Sequence, residues 1–130
     1  MAYVNVKQTT FNNTMKNIVA IPDHYVALTA VIKASNAITR DGKKVIPAGL
    51  CVSDALTARA TGLTPTVDTS GKTFNGVIFN DEEVPAGYGN DDLVNVTVLV
   101  HGFVNKNQLV GSTGAAIATA TCNNDLIVVL

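Results

Sequence analysis

The sequence predicts a mainly β fold, α+β at most, built as one compact domain of short strands and hairpins with one or two short helices. Its 130 residues are 47% hydrophobic and 15% charged, which is enough apolar material for one buried core. Alternating stretches of Val, Ile and Leu recur along the chain, and an Asp-Gly pair separates two β-prone pieces. These observations predict a folded domain over residues 18–130, preceded by a flexible arm over residues 1–17.

The predicted arm is polar and rich in Asn and Thr. It contains one alternating patch, Tyr3-Val4-Asn5-Val6, and the pair Thr9-Thr10 follows. This composition cannot close a core, but Tyr and Val favour strands. We interpret the arm as a segment that can add a strand to a partner protein. A frayed terminus explains the same composition equally well.

The first predicted strand of the domain runs from His24 to Lys33. Its apolar residues alternate and predict one buried face: Val26, Leu28, Ala30 and Ile32. Asp41-Gly42 then predicts a tight hairpin turn, because both residues tolerate positive φ angles. Pro47-Ala48-Gly49 predicts a second turn before the short apolar piece Leu50-Cys51-Val52.

The middle of the chain gives weaker signals. Residues 53–60 are compatible with one short helix capped by Ser53 or with a loop, because their apolar positions are mostly Ala. Residues 62–72 read as a loop of Thr, Gly, Pro and Ser, and residues 73–80 as a short strand. Residues 81–92 are acidic and rich in turn-forming residues.

The longest predicted strand covers residues 93–104. Its alternation places four valines on one face, namely Val94, Val96, Val98 and Val100, and the residues between them on the other: Asn95, Thr97, Leu99 and His101. An Ala-rich helix is predicted from Gly114 to about Cys122, with Ser112 or Thr113 as its N-cap. A final strand is predicted from Asp125 to Leu130.

Charge, length and cysteine content argue against several partners. Nine basic and ten acidic residues give a net charge of -1, and Lys43-Lys44 is the longest basic run, so we expect no nucleic-acid partner. The longest aliphatic run, residues 126–130, is too short to span a bilayer, and the N-terminus lacks a secretory signal. We therefore expect no membrane partner and synthesis in a cytoplasm. Cys51 and Cys122 are predicted to be free, packed thiols.

No set of residues predicts catalysis. His24 and His101 are the side chains suited to proton transfer near neutral pH, and neither lies in a nucleophile motif. The acidic residues lack the spacing of a calcium loop and read as a solvated segment: Asp81, Glu82, Glu83, Asp91 and Asp92. We expect no enzyme activity, no metal and no cofactor.

Three segments occur in an order that resembles a known family. They are a hairpin within Lys33–Gly49, the sequence GVIFNDEEV at residues 76–84, and VTVLVHGFVN at residues 96–105. In the lambda-type phage head decoration proteins, a GV-aliphatic-x-(N/H)-D-x-x-V strand precedes a V-x-V-L-V-H-G-x-V strand. An Ala-rich helix and an aliphatic strand then close the domain. The resemblance spans residues 28–130.

The resemblance implies a β-tulip-like domain and a structural protein that forms homotrimers. Such a protein binds the major capsid protein on the outside of an expanded phage capsid and cements the shell against internal DNA pressure. It is made in the bacterial cytoplasm and ends up in the virion. In the family the N-terminal arm is disordered in solution and orders against the capsid protein. The candidate capsid contacts are therefore Tyr3, Val4, Asn5, Val6, Thr9 and Thr10.

Two other kinds of function share this β-rich, weakly charged profile. One is another virion component, such as a head-fibre base or a tail-tube subunit. The other is an adhesin-like module that binds glycans. A hexameric ring would favour a tail-tube subunit, and glycan binding without capsid affinity would favour an adhesin.

Overall fold

A computed structural model describes residues 18–20, 24–66, 73–116 and 121–130. Within these ranges the chain forms ten strands and two single turns of 3-10 helix, Ala34–Asn36 and Lys106–Gln108. The strands are β1 (Tyr25–Lys33), β2 (Ile38–Arg40), β3 (Lys43–Ile46), β4 (Cys51–Val52), β5 (Thr73–Phe74), β6 (Gly76–Ile78), β7 (Glu82–Glu83), β8 (Leu93–Val104), β9 (Thr121–Cys122) and β10 (Ile127–Val129). The prediction of a mainly β fold is confirmed.

The central sheet is organised around β8, the longest strand. Its order is β1-β8-β6-β4, with antiparallel neighbours, and β10 pairs in parallel with the last residues of β8. A second sheet has the order β2-β3-β7, and β5 pairs with β9. β8 takes the central place because its alternating valines and Leu99 give it apolar side chains on both faces.

The Asp-Gly hairpin is confirmed in its position and its conformation. Asp41 has φ 54° and Gly42 has φ 79°, so both central residues of the turn are left-handed, as a type I′ turn requires. This turn sets the register of the hairpin, in which Arg40 lies opposite Lys43. The second predicted turn, at Pro47-Ala48-Gly49, also leads into a strand, β4.

The central sheet has a hydrophobic core on each side. The first core contains the four alternating valines of β8 together with residues from β1, β3 and β6, including Ile32, Ile46 and Ile78. The second core contains Leu99, Val77, Phe74, Cys51 and Val104. The assignment of the four valines to one buried face is therefore confirmed.

The alternation of β8 is broken at Val100. The partner of Val26 is His101, whereas the partner of Ala27 is Leu99, so Val100 is an extra residue without a partner in β1. Such a bulge reverses the inside-outside order of the residues that follow it. His101 therefore lies on the same side of the sheet as the valines, and the prediction that placed it on the opposite side is wrong.

Several other predicted elements are corrected. The predicted helix over residues 114–122 is not formed in the part that the structure describes. Gly114 has φ 83°, Ala116 bridges to Val110, and Thr121–Cys122 is strand β9. A left-handed residue ends helical geometry, and Ala side chains bury too little area to enforce it. Residues 117–120 lie outside the described ranges.

Residues 53–60 form a succession of turns, which settles the choice between a helix and a loop in favour of the loop. Asp54 Oδ1 accepts a hydrogen bond from Thr64 N–H at 2.8 Å, and Ser53 N–H donates to the Thr64 carbonyl at 3.1 Å. These contacts to a distant segment replace an N-cap. The strand predicted over residues 73–80 is divided at Asn75, and β7 lies within the acidic segment. Among the described residues, no helix has the length and apolar character needed to cross a membrane.

Candidate functional site

The predicted capsid contacts, Tyr3, Val4, Asn5, Val6, Thr9 and Thr10, lie outside the described residues, so their role stays a prediction. The structure does describe the point where residues 1–17 join the domain. Asn105 N–H donates to the Ile18 carbonyl at 2.9 Å, and Ala20 N–H donates to the Phe103 carbonyl at 2.7 Å. Val19, between them, forms an antiparallel bridge with Val104. We call residues 18–20 the entry segment.

β10 pairs with the same end of β8. Val128 lies opposite Phe103 and Val129 lies opposite Val104. Gly102 N–H donates to the Leu126 carbonyl at 2.9 Å, and Leu130 N–H donates to the Val104 carbonyl at 2.9 Å. The end of β8 is therefore bonded to both the entry segment and β10.

One side of this sheet end is apolar, and the described residues leave it uncovered. Val26 lies opposite His101, and Phe103 lies opposite Val128, so each pair shares a side of the sheet. Leu130 continues the alternation of β10 on this side, and Leu126 lies at the same sheet end, in the turn before β10, where its carbonyl accepts from Gly102 N–H. The exposed fractions are 45% for Val26, 56% for Leu126, 41% for Val128 and 60% for Leu130. We call Val26, His101, Phe103, Leu126, Val128 and Leu130 the open face.

Aromatic rings pack at this sheet end. The His24 ring meets the His101 ring edge to face at a centroid distance of 5.0 Å, and it lies 6.1 Å from the Phe103 ring. Tyr25 stacks on Phe79 at 5.2 Å, and Phe79 packs against the second core. These contacts position the two imidazoles by ring packing. Within the described residues, neither imidazole is hydrogen-bonded or ion-paired to a nucleophile or a carboxylate.

The acidic segment is held by structural contacts. Asp81 bonds Arg40 and the Ala48 amide, and Asp92 Oδ2 accepts from Gly89 N–H at 2.7 Å. Glu83 lies 3.8 Å from the Lys43 ammonium. In the described ranges, no group of three or more His, Cys, Asp or Glu side chains is arranged to hold a metal ion. The prediction of a solvated loop is wrong for Asp81, which is partly buried.

Both cysteines are free thiols, as predicted. Burial and, to a smaller extent, the neighbouring Cys122 raise the pKa of Cys51 to about 12. Burial also raises the pKa of Cys122, and Asp125 adds to this shift, although a hydrogen bond with the Asn124 backbone opposes it. Protonated thiols are poor nucleophiles, so neither is suited to covalent catalysis.

A shallow groove of about 410 Å³ lies along β1, lined by residues that include Thr29, Leu56 and Arg59. Arg59 Nη1 donates to the Thr29 carbonyl at 3.2 Å, and the Arg59 carbonyl accepts from Val31 N–H at 2.9 Å. The guanidinium therefore fastens the 53–64 loop to the edge of β1. The contacts of this groove explain the fold and do not define a binding site.

Sequence reasoning did not identify the open face. Leu126, Val128 and Leu130 were predicted to lie in the final strand, Asp125–Leu130, in which residues 126–130 are all aliphatic. The run of five aliphatic residues at 126–130 was the available signal, because a strand that is covered on one side usually has polar residues on the other. Comparisons of this chain with protein-family models, curated proteins and solved structures find no match.

Proposed function

We propose that this protein is a structural component of a phage head, which binds the outside of an expanded capsid as a homotrimer and cements it against internal DNA pressure. The observation that carries the proposal is the junction at Ile18. Ile18, which follows the predicted arm in the chain, begins a hydrogen-bonded segment beside an apolar face that the described residues leave uncovered. The mainly β fold and the order of the hairpin, β6 and β8 agree with the resemblance to head decoration proteins.

The junction is suited to carry mechanical load. The entry segment is antiparallel to β8, and its hydrogen bonds at Ile18 and Ala20 lie across the strand direction. A pull along the arm therefore loads both bonds together and reaches the longest strand of the central sheet. Ile18 and Val19 are also buried, so pulling them out exposes apolar area. A protein that cements a shell needs such an anchor.

The chemistry of the described side chains supports a binding role. The thiols are protonated, the imidazoles pack against aromatic rings, and Asp81 is bonded to Arg40 and Ala48. Each of these groups has a structural explanation, and attachment to a capsid requires no reacting group. The weakly charged composition fits a surface that is partly buried between subunits and against a shell.

The proposal is tested by mixing the purified full chain with expanded, undecorated capsids of the phage that encodes it. We expect saturable co-sedimentation, with trimers at three-fold or quasi-three-fold positions in electron micrographs. The double substitution Val4→Asp and Val6→Asp should weaken binding, because it places charge within the predicted contact strand. The control Asn13→Asp adds charge to the arm outside those contacts and should bind normally.

Three outcomes would overturn the proposal. They are a wild-type chain that ignores capsids, a hexameric ring in solution, and glycan binding without capsid affinity. The second points to a tail-tube subunit, and the third points to an adhesin-like module.

A further inference from the structure

We infer that the open face is a second docking surface, and that its occupant is an uncharged, apolar surface of the same capsid protein that the arm binds. This inference rests on the proposed function. It assigns the contact to described residues of the folded domain, centred on Leu126 and Val128, in addition to the arm.

Exposed apolar area is concentrated on the open face. Among the described residues, eight large hydrophobic side chains are exposed, and four of them belong to the open face: Val26, Leu126, Val128 and Leu130. Phe103 lies between them and is half-buried, and His101 is half-buried beside Val26. None of the six side chains carries a permanent charge. Contiguous apolar surface of this kind marks a site of interaction, whereas single exposed hydrophobic residues do not.

The open face arises where β8 continues beyond the first core. Toward the Leu93 end of β8, the same side of the sheet is covered by the first core. The bulge at Val100 brings His101 and Phe103 to this side, beyond the residues that form that core. The apolar side of the sheet therefore continues along β8 beyond the residues of the first core.

The Asn124 side chain makes the open face rigid. Asn124 Nδ2 donates to the carbonyls of Val100 at 2.9 Å and Asn75 at 3.0 Å, and Asn124 Oδ1 accepts from Leu126 N–H at 2.9 Å. These three bonds hold the start of β10 against the bulge of β8. A surface that is fixed before binding loses little conformational entropy on docking, which favours affinity.

The position of the entry segment identifies the partner that occupies the open face. Val19 of the entry segment bridges to Val104, and Val104 also pairs with Val129 of β10. The arm therefore starts at the sheet end that carries the open face. An extended chain spans at most about 3.5 Å per residue, so residues 1–17 reach about 60 Å. A capsid protein held by the arm is thereby kept at high local concentration next to the open face.

The uncharged, apolar side chains of the open face favour a partner surface that is also uncharged and apolar. A charged surface would lose hydration against Leu126 and Val128 without gaining a counter-charge, which is unfavourable. An apolar partner surface loses no such hydration. The His24 and His101 rings, at one side of the open face, offer polar edges for hydrogen bonds at the rim of the contact.

The test compares Leu126→Asp with the matched control Leu56→Asp in the full chain. Both leucines are 56% exposed, but Leu56 lies in the groove along β1, outside the open face. We expect Leu126→Asp to weaken binding to expanded capsids by about ten-fold or more, which corresponds to about 1.4 kcal/mol or more. Leu56→Asp should bind as the wild type does, and both variants should keep the wild-type oligomeric state in analytical ultracentrifugation. Val128→Asp replaces Leu126→Asp if circular dichroism shows that the latter is unfolded.

The inference is overturned if capsids bind Leu126→Asp and the wild type equally, or if both leucine variants weaken binding alike. Dissociation of the oligomer by Leu126→Asp also overturns it, because the face would then be occupied by a second copy of the chain. A wild-type chain that does not bind capsids overturns the proposed function instead. The wild-type measurement therefore separates the two failures.

Discussion

Arg40 and Asp81 form a salt bridge across 41 positions of the chain, in which Arg40 Nη1 donates to Asp81 Oδ2 at 2.8 Å. The second carboxylate oxygen, Oδ1, accepts from Ala48 N–H at 2.6 Å. Arg40 ends β2 in the hairpin, Asp81 lies three residues after β6 of the central sheet, and Ala48 lies in the turn between β3 and β4. One carboxylate therefore joins the hairpin sheet to the central sheet.

Replacement of Asp81 should destabilise the fold. Asp81→Ala removes the acceptor for both Arg40 and the Ala48 amide, and hydrogen bonds to charged groups contribute about 1.5–3 kcal/mol each. Because the Arg40 and Asp81 side chains are partly exposed to solvent, the two bonds contribute less than this sum, and we expect urea denaturation to show a loss of about 2–3 kcal/mol in the free energy of unfolding. The control Asp91→Ala removes an acid whose side chain is 93% exposed and 3.7 Å from Lys33, and it should change stability little. Equal losses in the two variants would contradict the assignment.

Gly76 is required because its surroundings leave no space for a side chain. A Cβ at this position would collide with the Ala55 Cβ and would lie 2.9 Å from Val98 Cγ2 and 3.2 Å from Val52 Cγ2. Gly76→Ala should therefore lower the free energy of unfolding by about 1–3 kcal/mol through overpacking. Gly89→Ala is the control, since its nearest neighbour would be Asp92 Oδ2 at 3.8 Å. Thermal denaturation of both variants checks the prediction, and a Gly76→Ala protein as stable as Gly89→Ala would refute it.

Asn124 should control the stability of β10. Its side chain satisfies two carbonyls and one amide, including the carbonyl of the bulged residue Val100. Asn124→Ala should accelerate hydrogen exchange at the amides of Gly102 and Leu126, because the strand then opens more often. Asn123→Ala removes an exposed neighbouring side chain and should leave these rates unchanged. Unaltered exchange at Leu126 in the Asn124 variant would show that the clamp is dispensable.

The parts of the fold that were predictable from sequence depend on local signals. Asp41-Gly42 encodes its turn through backbone preference, and residues 93–104 encode a strand through their alternation, so both predictions were correct. The helix predicted from Gly114 also rested on a local signal, and it is not formed. Ala favours a helix and Thr does not, and intrinsic preference is small enough for the pairing of β9 with β5 to override it where the structure describes this region.

The open face depends on relationships that a single sequence does not encode. The bulge at Val100 is visible only in the pairing of β8 with β1, and it decides on which side His101 and Phe103 lie. The parallel pairing of β10 with β8 likewise joins segments that no local pattern connects. The arm over residues 1–17 was predicted from composition alone, and because these residues lie outside the described ranges, both the arm and its contacts remain predictions.

The buried thiol of Cys51 should make the fold sensitive to alkaline pH. Burial raises the pKa of this thiol in the folded protein from 9.0 to about 12. Below about pH 9 the thiol is protonated in both states, so its contribution to stability is constant. Between pH 9 and pH 12 the unfolded chain releases this proton while the folded protein retains it, so the free energy of unfolding falls as the pH rises.

Urea denaturation at several alkaline pH values measures this effect. One thiol contributes a slope of at most about 1.4 kcal/mol per pH unit, and Cys51→Ala should show a shallower decline than the wild type over the same range. Tyr and Lys side chains also titrate there, but they are common to both proteins and cancel in the comparison. Identical slopes in the wild type and Cys51→Ala would mean that the thiol ionises as easily in the folded protein as in the unfolded chain, and that its burial has no energetic consequence.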